Sequence, residues 1–252
     1  METLFPLAVT AADVPPVPGL NYLPEYVSEA EERELVEAID ALPWNTDWKR
    51  RRQPYGAGYG SRGAGTPIPD WGRRLADRLL QDGVTDEPFD QMLVNEYQPG
   101  QGISAHRDYL PFGRTVVSLS LLGPCVMDFA HVTNGRKERL LLLPRGLLVL
   151  SDEARYDWEH GIAPRKRDIW QGLPVERRRR LSITFRFLAA GGDGRDPRQV
   201  SRSSTQVGAW SLVLSQPRTS RSTPAVAGLS SRWSIRSPQS RPQAPRVYSQ
   251  NV

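Results

Sequence analysis

The segment RLSITFR at residues 180–186 alternates strictly between apolar and polar side chains. Its apolar positions are Leu181, Ile183 and Phe185, and its polar positions are Arg180, Ser182, Thr184 and Arg186. Successive side chains of a β-strand point to opposite sides, so the pattern predicts a strand with one buried face. The polar face is either exposed to solvent or turned inward to hold an anion, and the pattern alone leaves both readings open.

Short segments of strand character recur from Phe89 onward, separated by turn residues. They are QMLVNEYQ, TVVSLSLLG, CVMDFAHV, RLLLLP, GLLVLSD and RLSITFRFL. Many short strands after a helical start predict a mostly β fold, a sandwich or jelly roll with helices packed outside.

Helical periodicity is confined to the residues before Phe89. Ser28 and Glu31 form a capping-box pattern ahead of AEERELVEAIDAL. Asp70 is expected to cap a second helix, WGRRLADRLLQ, which ends at Gly83. The Pro-rich residues 1–17 are expected to be flexible, and GLNYLPEYV to form a short strand and turn.

The periodic pattern ends after Leu188, where Ser, Arg, Pro and Gln dominate. Such a segment buries too little apolar surface to offset the entropy of ordering, so residues 189–252 are predicted to be disordered. This tail carries nine arginines against two aspartates, which leaves 24 basic and 26 acidic side chains in residues 1–188. The formal charge of +5 therefore belongs to the tail, as does any inference from net charge to nucleic-acid binding.

The single cysteine, Cys125, excludes an intrachain disulfide and fits a reducing compartment. The first 20 residues lack a basic n-region and make a poor signal peptide. No apolar run approaches the roughly 20 residues of a membrane span. We therefore expect a soluble, cytoplasmic protein, with a monomer as the default.

Two of the three histidines lie in a pattern suited to metal binding. His106 and Asp108 share one face of an extended segment in AHRDY, and His160 follows in WEHGI, 52 residues after Asp108. Two imidazoles and one carboxylate suit a facial triad, which binds Fe(II) on one side and leaves positions open for other ligands. The third histidine, His131, lies at a strand end beside a turn and is given no role.

Such an iron site would explain the arginines of RLSITFR. A 2-oxoglutarate molecule that chelates the iron points its far carboxylate into the protein. Burying that charge is costly unless it is paired, and the arginine fork is a suitable partner. Arg180 and Arg186 follow His160 along the chain, in the order that this site needs.

The segments NEYQPGQGISAHRDY, YDWEHGI and RLSITFR, in that order, resemble the AlkB-type Fe(II)/2-oxoglutarate dioxygenases. The family pattern of Asn-x-Tyr, His-x-Asp, a distal His and Arg-x5-Arg matches at every position. The resemblance covers about residues 18–188. The phrases VSLSLLGPCVMDFAH and LPRGLLVLSDEARYDWEHGIAPRK look most like the AlkB domain of the eukaryotic tRNA wobble-uridine hydroxylase.

The resemblance implies a double-stranded β-helix with an N-terminal α/β extension, using Fe(II), 2-oxoglutarate and O₂. It implies three catalytic iron ligands, His106, Asp108 and His160. It implies four residues that hold 2-oxoglutarate, Asn95, Tyr97, Arg180 and Arg186. Of these, Arg180 would pair with the distal carboxylate of the cosubstrate, and Arg186 would lie beside the carboxylate nearest the iron.

Substrate contacts are also implied by position. Family members hold the target base under a lid N-terminal to the jelly roll, and RRRQPYGAGYG occupies that place. In it, Arg52 and its neighbours Arg50 and Arg51 would contact phosphates, and Tyr55 and Tyr59 would stack on a base or flank it. The alternative is a flexible basic loop. Leu110 stands where the repair enzyme of this family has an acid that contacts the base edge, which argues against N-methyladenine or N-methylcytosine as the preferred substrate.

The expected function is hydroxylation or oxidative demethylation of a modified base in nucleic acid, in alkylation repair of DNA or RNA or in tRNA modification. One alternative is an oxygenase that acts on a protein side chain. Another is a nucleic-acid-binding protein that acts through its basic tail, although such a module has no need for a complete set of iron ligands.

Overall fold

The computed structural model describes residues 8–47, 49–56 and 65–188. Its helices are α1 (Glu29–Asp40), α2 (Asp70–Gln81) and α3 (Asp152–Tyr156), with a 3-10 turn at Ala11–Asp13. Its strands are β1 (Leu20–Leu23), β2 (Arg52–Gly56), β3 (Gln91–Tyr97), β4 (Ile103–His106), β5 (Val116–Leu121), β6 (Cys125–His131), β7 (Lys137–Leu142), β8 (Leu147–Leu150), β9 (Trp158–Ile162), β10 (Arg167–Trp170), β11 (Leu173–Glu176) and β12 (Arg180–Arg186).

Two antiparallel sheets make up the predicted jelly roll. The major sheet has the order β1-β8-β5-β12-β3-β2, and the minor sheet has the order β4-β9-β6-β7. Strands β10 and β11 pair as a separate hairpin. The mostly β fold expected from the short strands is therefore confirmed. Within the described ranges, no helix has both the length and the apolar character needed to cross a membrane.

Two apolar cores lie on opposite sides of the major sheet. On its outer side, Leu181, Ile183 and Phe185 pack in one cluster with residues of α1 and α2. On its inner side, side chains of both sheets share a second cluster that includes Phe129 and Trp158. Since β12 alternates, its polar positions must face the space between the two sheets. Of the two readings of RLSITFR, the inward one is correct.

The two predicted helices form, with one difference at a cap. The Ser28 hydroxyl accepts a hydrogen bond from the Glu31 amide at 3.2 Å, and the Glu31 carboxylate accepts one from the Ser28 amide at 2.7 Å. This is the predicted capping box of α1. In the second helix, however, Asp70 is the first helical residue and Pro69 occupies the cap position.

The Arg- and Gly-rich segment after α1 contains a strand that the sequence analysis missed. Strand β2 pairs with β3 at the edge of the major sheet, with Arg52 opposite Asn95 and Gly56 opposite Gln91. Gly56 has a φ of +79°, and a Cβ there would lie 2.0 Å from the Asp90 carbonyl oxygen, so the strand can end in this way only at a glycine. Residues 57–64 lie outside the described residues.

The N-terminal residues 8–17 pack against the fold and correct the expectation of a flexible N-terminus for that part of it. Val9 and Val17 are buried at 8% and 4% exposure and belong to the inner core. Apolar side chains between the prolines reach the sheet, which the Pro-rich composition did not indicate. Residues 1–7 and the tail, 189–252, lie outside the described residues.

Candidate active site

The two candidate histidine ligands are direct neighbours across the minor sheet. His106 of β4 lies opposite His160 of β9, and their ring centroids are 4.6 Å apart. Asp108 follows β4, with its Oδ2 at 3.7 Å from His160 Nε2. One potential ligand atom from each residue lies within 4.8 Å of the others. The strands therefore gather two imidazoles and a carboxylate around one point, a donor set suited to Fe(II).

Local backbone features aim these side chains inward. The β4–β9 register is irregular between Ile103 and His106, as expected where a strand must re-aim a side chain. A Cβ on Gly161 would lie 2.9 Å from the Ala105 nitrogen, so a glycine next to His160 allows the two strands to approach closely.

The protonation states suit metal binding. The carbonyl of Ser104 can only accept, so His106 Nδ1 donates to it at 2.9 Å and leaves Nε2 available as a ligand. Burial lowers the pKa of His160 to about 4, which keeps the ring neutral near pH 7. Burial by itself would raise the pKa of Asp108, but the positive charges of Arg186 and Arg155 help to hold it below its usual value.

A buried arginine that the sequence analysis missed holds the loop after β4. Arg155 of α3 is 2% exposed. It donates to the carbonyl oxygens of Asp108 at 3.0 Å, Tyr109 at 2.7 Å and Phe112 at 3.3 Å. Because three carbonyls share one rigid fork, the backbone of the candidate ligand Asp108 is fixed. No local sequence pattern marks this role.

The side chain of Arg180 is buried and only partly satisfied. It is 2% exposed, and its Nη2 donates to the Ser120 hydroxyl at 2.8 Å. Its Nε and Nη1 are buried without a hydrogen-bond partner, and the guanidinium lies 5.2 Å from the centre of the Tyr97 ring. A buried cation with two unused donors calls for an anion, so the residues present fit the distal carboxylate of 2-oxoglutarate.

One cavity between the two sheets brings together all seven residues predicted to hold iron or cosubstrate. Its lining includes Asn95, Tyr97, His106, Asp108, His160, Arg180 and Arg186. Burial raises the pKa of Tyr97, so its hydroxyl stays protonated. Arg186 lies at the far end of β12, with Nη2 at 3.1 Å from Asp108 Oδ1.

The four consecutive arginines that precede and begin β12 have four different environments. Arg177 forms a bidentate pair with buried Asp168 at 2.6 and 2.9 Å. Arg178 is exposed, Arg179 is half-buried, and Arg180 enters the cavity. A solvated basic loop is therefore not the explanation for this run.

Glu96 lies between the two cosubstrate candidates of β3 but points to the opposite face. It accepts hydrogen bonds from Arg51 at 2.6 and 2.7 Å and from Arg179 at 2.7 Å. These bonds lower the pKa of Glu96 to about 2. Arg51 is thus engaged within the protein, and Arg50 likewise donates to the Gly102 carbonyl at 2.6 Å. Both side chains are therefore held by partners within the protein, and their contact with phosphates stays a prediction.

The remaining substrate candidates lie in different parts of the fold. Arg52 lies directly opposite Asn95, so its side chain is on the inner face of the major sheet. Tyr55 is on the other face, 8% exposed in the helix-side core, and its predicted stacking on a base is wrong because strand alternation turns it away. Leu110 is 38% exposed in the loop after Asp108 and does not line the cavity. Tyr59 lies outside the described residues.

A family model and several known proteins match this chain. The model of the 2OG-Fe(II) oxygenase superfamily matches residues 40–186. Uncharacterized protein L905 of Acanthamoeba polyphaga mimivirus is 33% identical over 178 residues, which cover 67% of this chain and 84% of that protein.

Two further relatives carry names that refer to nucleic acids. The alkylated DNA repair protein ALKBH8 homolog of Arabidopsis thaliana is 36% identical, with 68% of this chain and 58% of that protein covered. The tRNA (carboxymethyluridine(34)-5-O)-methyltransferase alkbh8 of Xenopus tropicalis is 35% identical, with 61% of this chain but only 26% of that protein covered. The chain thus spans a little over half of the plant relative and about a quarter of the frog one.

Among solved structures, OsALKBH1 superposes with a TM-score of 0.51 at 19% identity, covering 67% of this chain and 98% of that one. At this identity the likeness supports the fold alone.

Proposed function

The chain belongs to the 2OG-Fe(II) oxygenase superfamily, and from this we propose that it hydroxylates or oxidatively demethylates a modified base in nucleic acid. As a member of that superfamily it is an oxidoreductase, a dioxygenase that uses Fe(II), 2-oxoglutarate and O₂. The nucleic-acid substrate is supported by the names of the plant and frog relatives, which refer to DNA repair and to tRNA modification.

The observation that carries the proposal is the convergence of two features in one cavity. His106, Asp108 and His160 present three ligand atoms within 4.8 Å, and the half-satisfied guanidinium of Arg180 lines the same space. A structural histidine pair would not need a buried cation with two unused donors beside it.

Bound Fe(II) with 2-oxoglutarate and O₂ supplies the oxidation of an unactivated C–H bond, with succinate and CO₂ as co-products. The chain's own residues provide position and charge. His106 and His160 hold imidazoles toward the metal position, and Asp108 holds a carboxylate there. Arg180 is aimed to receive the distal carboxylate of the cosubstrate.

Other side chains on the inner face of the major sheet orient the cosubstrate and the substrate. On the inner face of the major sheet, Tyr97 lies opposite Arg180, and Asn95 lies opposite Ser182. We assign both to the cosubstrate. Arg52, next to Asn95 at the sheet edge, is the described residue that we assign to a substrate phosphate. Hydroxylation of an N-methyl group leads to loss of formaldehyde and restores the unmethylated base. Hydroxylation of a carbon side chain of a base gives a stable product that retains the hydroxyl group.

The test measures succinate formation with Fe(II), 2-oxoglutarate and O₂ in the presence of methylated DNA, methylated RNA or bulk tRNA. Nucleoside mass spectrometry on the same reactions identifies the product. His106→Ala should abolish turnover. His131→Ala is the matched control, because His131 packs against Trp158 at 5.2 Å and does not line the cavity.

Turnover that depends on one nucleic acid and is lost only in His106→Ala supports the proposal and identifies the substrate class. An equal, slow rate with every nucleic acid would leave the cosubstrate assignment intact but would contradict a base substrate. Absence of succinate from iron-loaded protein under all conditions would contradict the catalytic assignment.

A further inference from the structure

All three lysines of the chain lie around one groove on the outer face of the minor sheet. The chain has 33 basic residues, and only Lys49, Lys137 and Lys166 among them are lysines. Lys49 and Lys137 line the groove, and Lys166 lies beside Gly100, which also lines it. All three lysines are exposed.

Small residues in or beside strands β4, β6 and β9 contribute to the lining of this groove. They are Gly102, Ser104, Ala105, Ala130, Gly161 and Ala163. The open space has a volume of about 900 Å³, near the upper end of the roughly 300–1,000 Å³ that ligand pockets occupy. It can therefore accept an extended ligand lying across the sheet.

The carboxylates of the groove are mostly taken by arginines. Asp128 lies 3.1 Å from Arg139 and 3.8 Å from Arg165. Glu138 pairs with a neighbouring arginine at 2.7 Å. Glu159 is the remaining carboxylate of the lining. Since these ion pairs already neutralise most of the acidic charge, the lysines give the groove a net positive potential.

The lysines differ from the arginines of the fold in what they contact. Every ion pair found within the described parts of the chain uses an arginine or a histidine, and none uses a lysine. A lysine ammonium is a point charge on a flexible stem, and it can neutralise a phosphate without a fixed bidentate geometry.

The groove is adjacent to the candidate active site. Ile103 and Ile162 line both the groove and the site cavity. Strand β4, which carries His106, is an edge strand of the minor sheet, so a chain lying in the groove passes the rim of the site.

We propose that this groove binds the phosphodiester backbone of the substrate nucleic acid next to the target base. The inference rests on the proposed function and specifies where the flanking nucleotides lie. Because phosphate contacts carry no sequence information, it concerns affinity and position and leaves base selection to the site itself.

Binding of a labelled single-stranded 12-nucleotide RNA and its DNA counterpart, measured by fluorescence anisotropy across a salt series, tests this proposal. The full chain is compared with a triple variant, Lys49→Gln, Lys137→Gln and Lys166→Gln. The matched control, Arg33→Gln, Arg73→Gln and Arg74→Gln, removes the same charge from exposed positions of α1 and α2, on the other side of the major sheet. The tail is the same in all three proteins, so its contribution cancels.

Loss of three phosphate contacts should make the negative slope of log K against log salt shallower by about 2. It should raise Kd about 100-fold at 0.1 M salt, with little change in the control. Equal effects of the two triple variants would overturn the proposal. Equally tight, lysine-dependent binding of an acidic peptide would also overturn it.

Measurements of turnover distinguish a failure of this inference from a failure of the proposed function. Lysine-dependent binding without nucleic-acid-stimulated succinate formation supports the groove and contradicts the base-directed reaction. Base oxidation by a lysine variant with unchanged Kd and KM contradicts the groove and leaves the reaction in place.

Discussion

The buried side chain of Arg180 should lower the stability of the ligand-free protein and strengthen the binding of 2-oxoglutarate. It is 2% exposed, and its Nε and Nη1 have no hydrogen-bond partner. A buried polar group without a partner costs about 1–3 kcal/mol, whereas the single bond to Ser120 contributes about 1 kcal/mol. Replacing Arg180 by the unbranched, apolar Met should therefore leave the free energy of unfolding unchanged or raise it by about 1 kcal/mol.

The same substitution should weaken the binding of 2-oxoglutarate. Removing one partner of a buried charge pair costs about 2–5 kcal/mol, so the Kd for 2-oxoglutarate should rise between about 30-fold and several thousand-fold. At 100 times its Kd, 2-oxoglutarate stabilises the wild type by about 2.7 kcal/mol. For a domain of this size that corresponds to a rise in Tm of about 5–10 °C. A variant with a Kd raised about 1,000-fold should gain less than about 0.1 kcal/mol at the same concentration.

Thermal denaturation of the metal-loaded protein with and without 2-oxoglutarate measures both effects, with a divalent ion that does not support turnover. Arg178→Met is the matched control, since Arg178 is the exposed neighbour of Arg180 and should keep the full ligand-induced shift. The reasoning would be refuted if Arg180→Met melted well below the wild type without ligand and still showed the full shift with it.

Three further predictions concern residues whose roles only the structure reveals. Hydrogen bonds from Arg51 and Arg179 lower the pKa of Glu96 to about 2. The charged carboxylate therefore stabilises the folded protein fully above about pH 4.5, the pKa expected in the unfolded chain. This stabilisation is lost as the pH falls toward 2. Urea unfolding should show Glu96→Gln to be about 3 kcal/mol less stable than wild type at pH 7, with the difference vanishing near pH 2. Tyr55→Phe should leave KM for nucleic acid unchanged, while Tyr55→Ala should cost about 3–5 kcal/mol of stability in a denaturant titration. Arg155→Lys keeps the charge but loses the fork that holds the Asp108 loop, so metal affinity measured by calorimetry should fall about 10- to 100-fold.

Each of these has a contrary result. Parallel stability curves for Glu96→Gln and wild type across pH would show that its ion pairs contribute no net stability. A large rise in KM for Tyr55→Phe would return this residue to the substrate site. Unchanged metal affinity in Arg155→Lys would mean that the loop carrying Asp108 keeps its geometry without the arginine fork.

The sequence by itself determined which residues share a face and in which order the chemical groups occur. The alternation of RLSITFR placed Arg180 and Arg186 on one side of a strand, and the spacing of His106, Asp108 and His160 indicated an iron site. These features are local or depend only on residue order, so they are visible without a fold.

The tertiary structure decided what depends on pairing between distant segments. Strand alternation has a period of two and does not say what covers the polar face, so only the packing of the apolar face against α1 and α2 turned the polar face of β12 inward. In the same way, the pairing of β2 with β3 placed Tyr55 in the core and left Arg52 on the inner face. The fork of Arg155 and the gathering of three lysines from positions 49, 137 and 166 likewise depend on contacts across long stretches of chain. No local pattern encodes such contacts, because a side chain's partner is set by the fold that brings the two together.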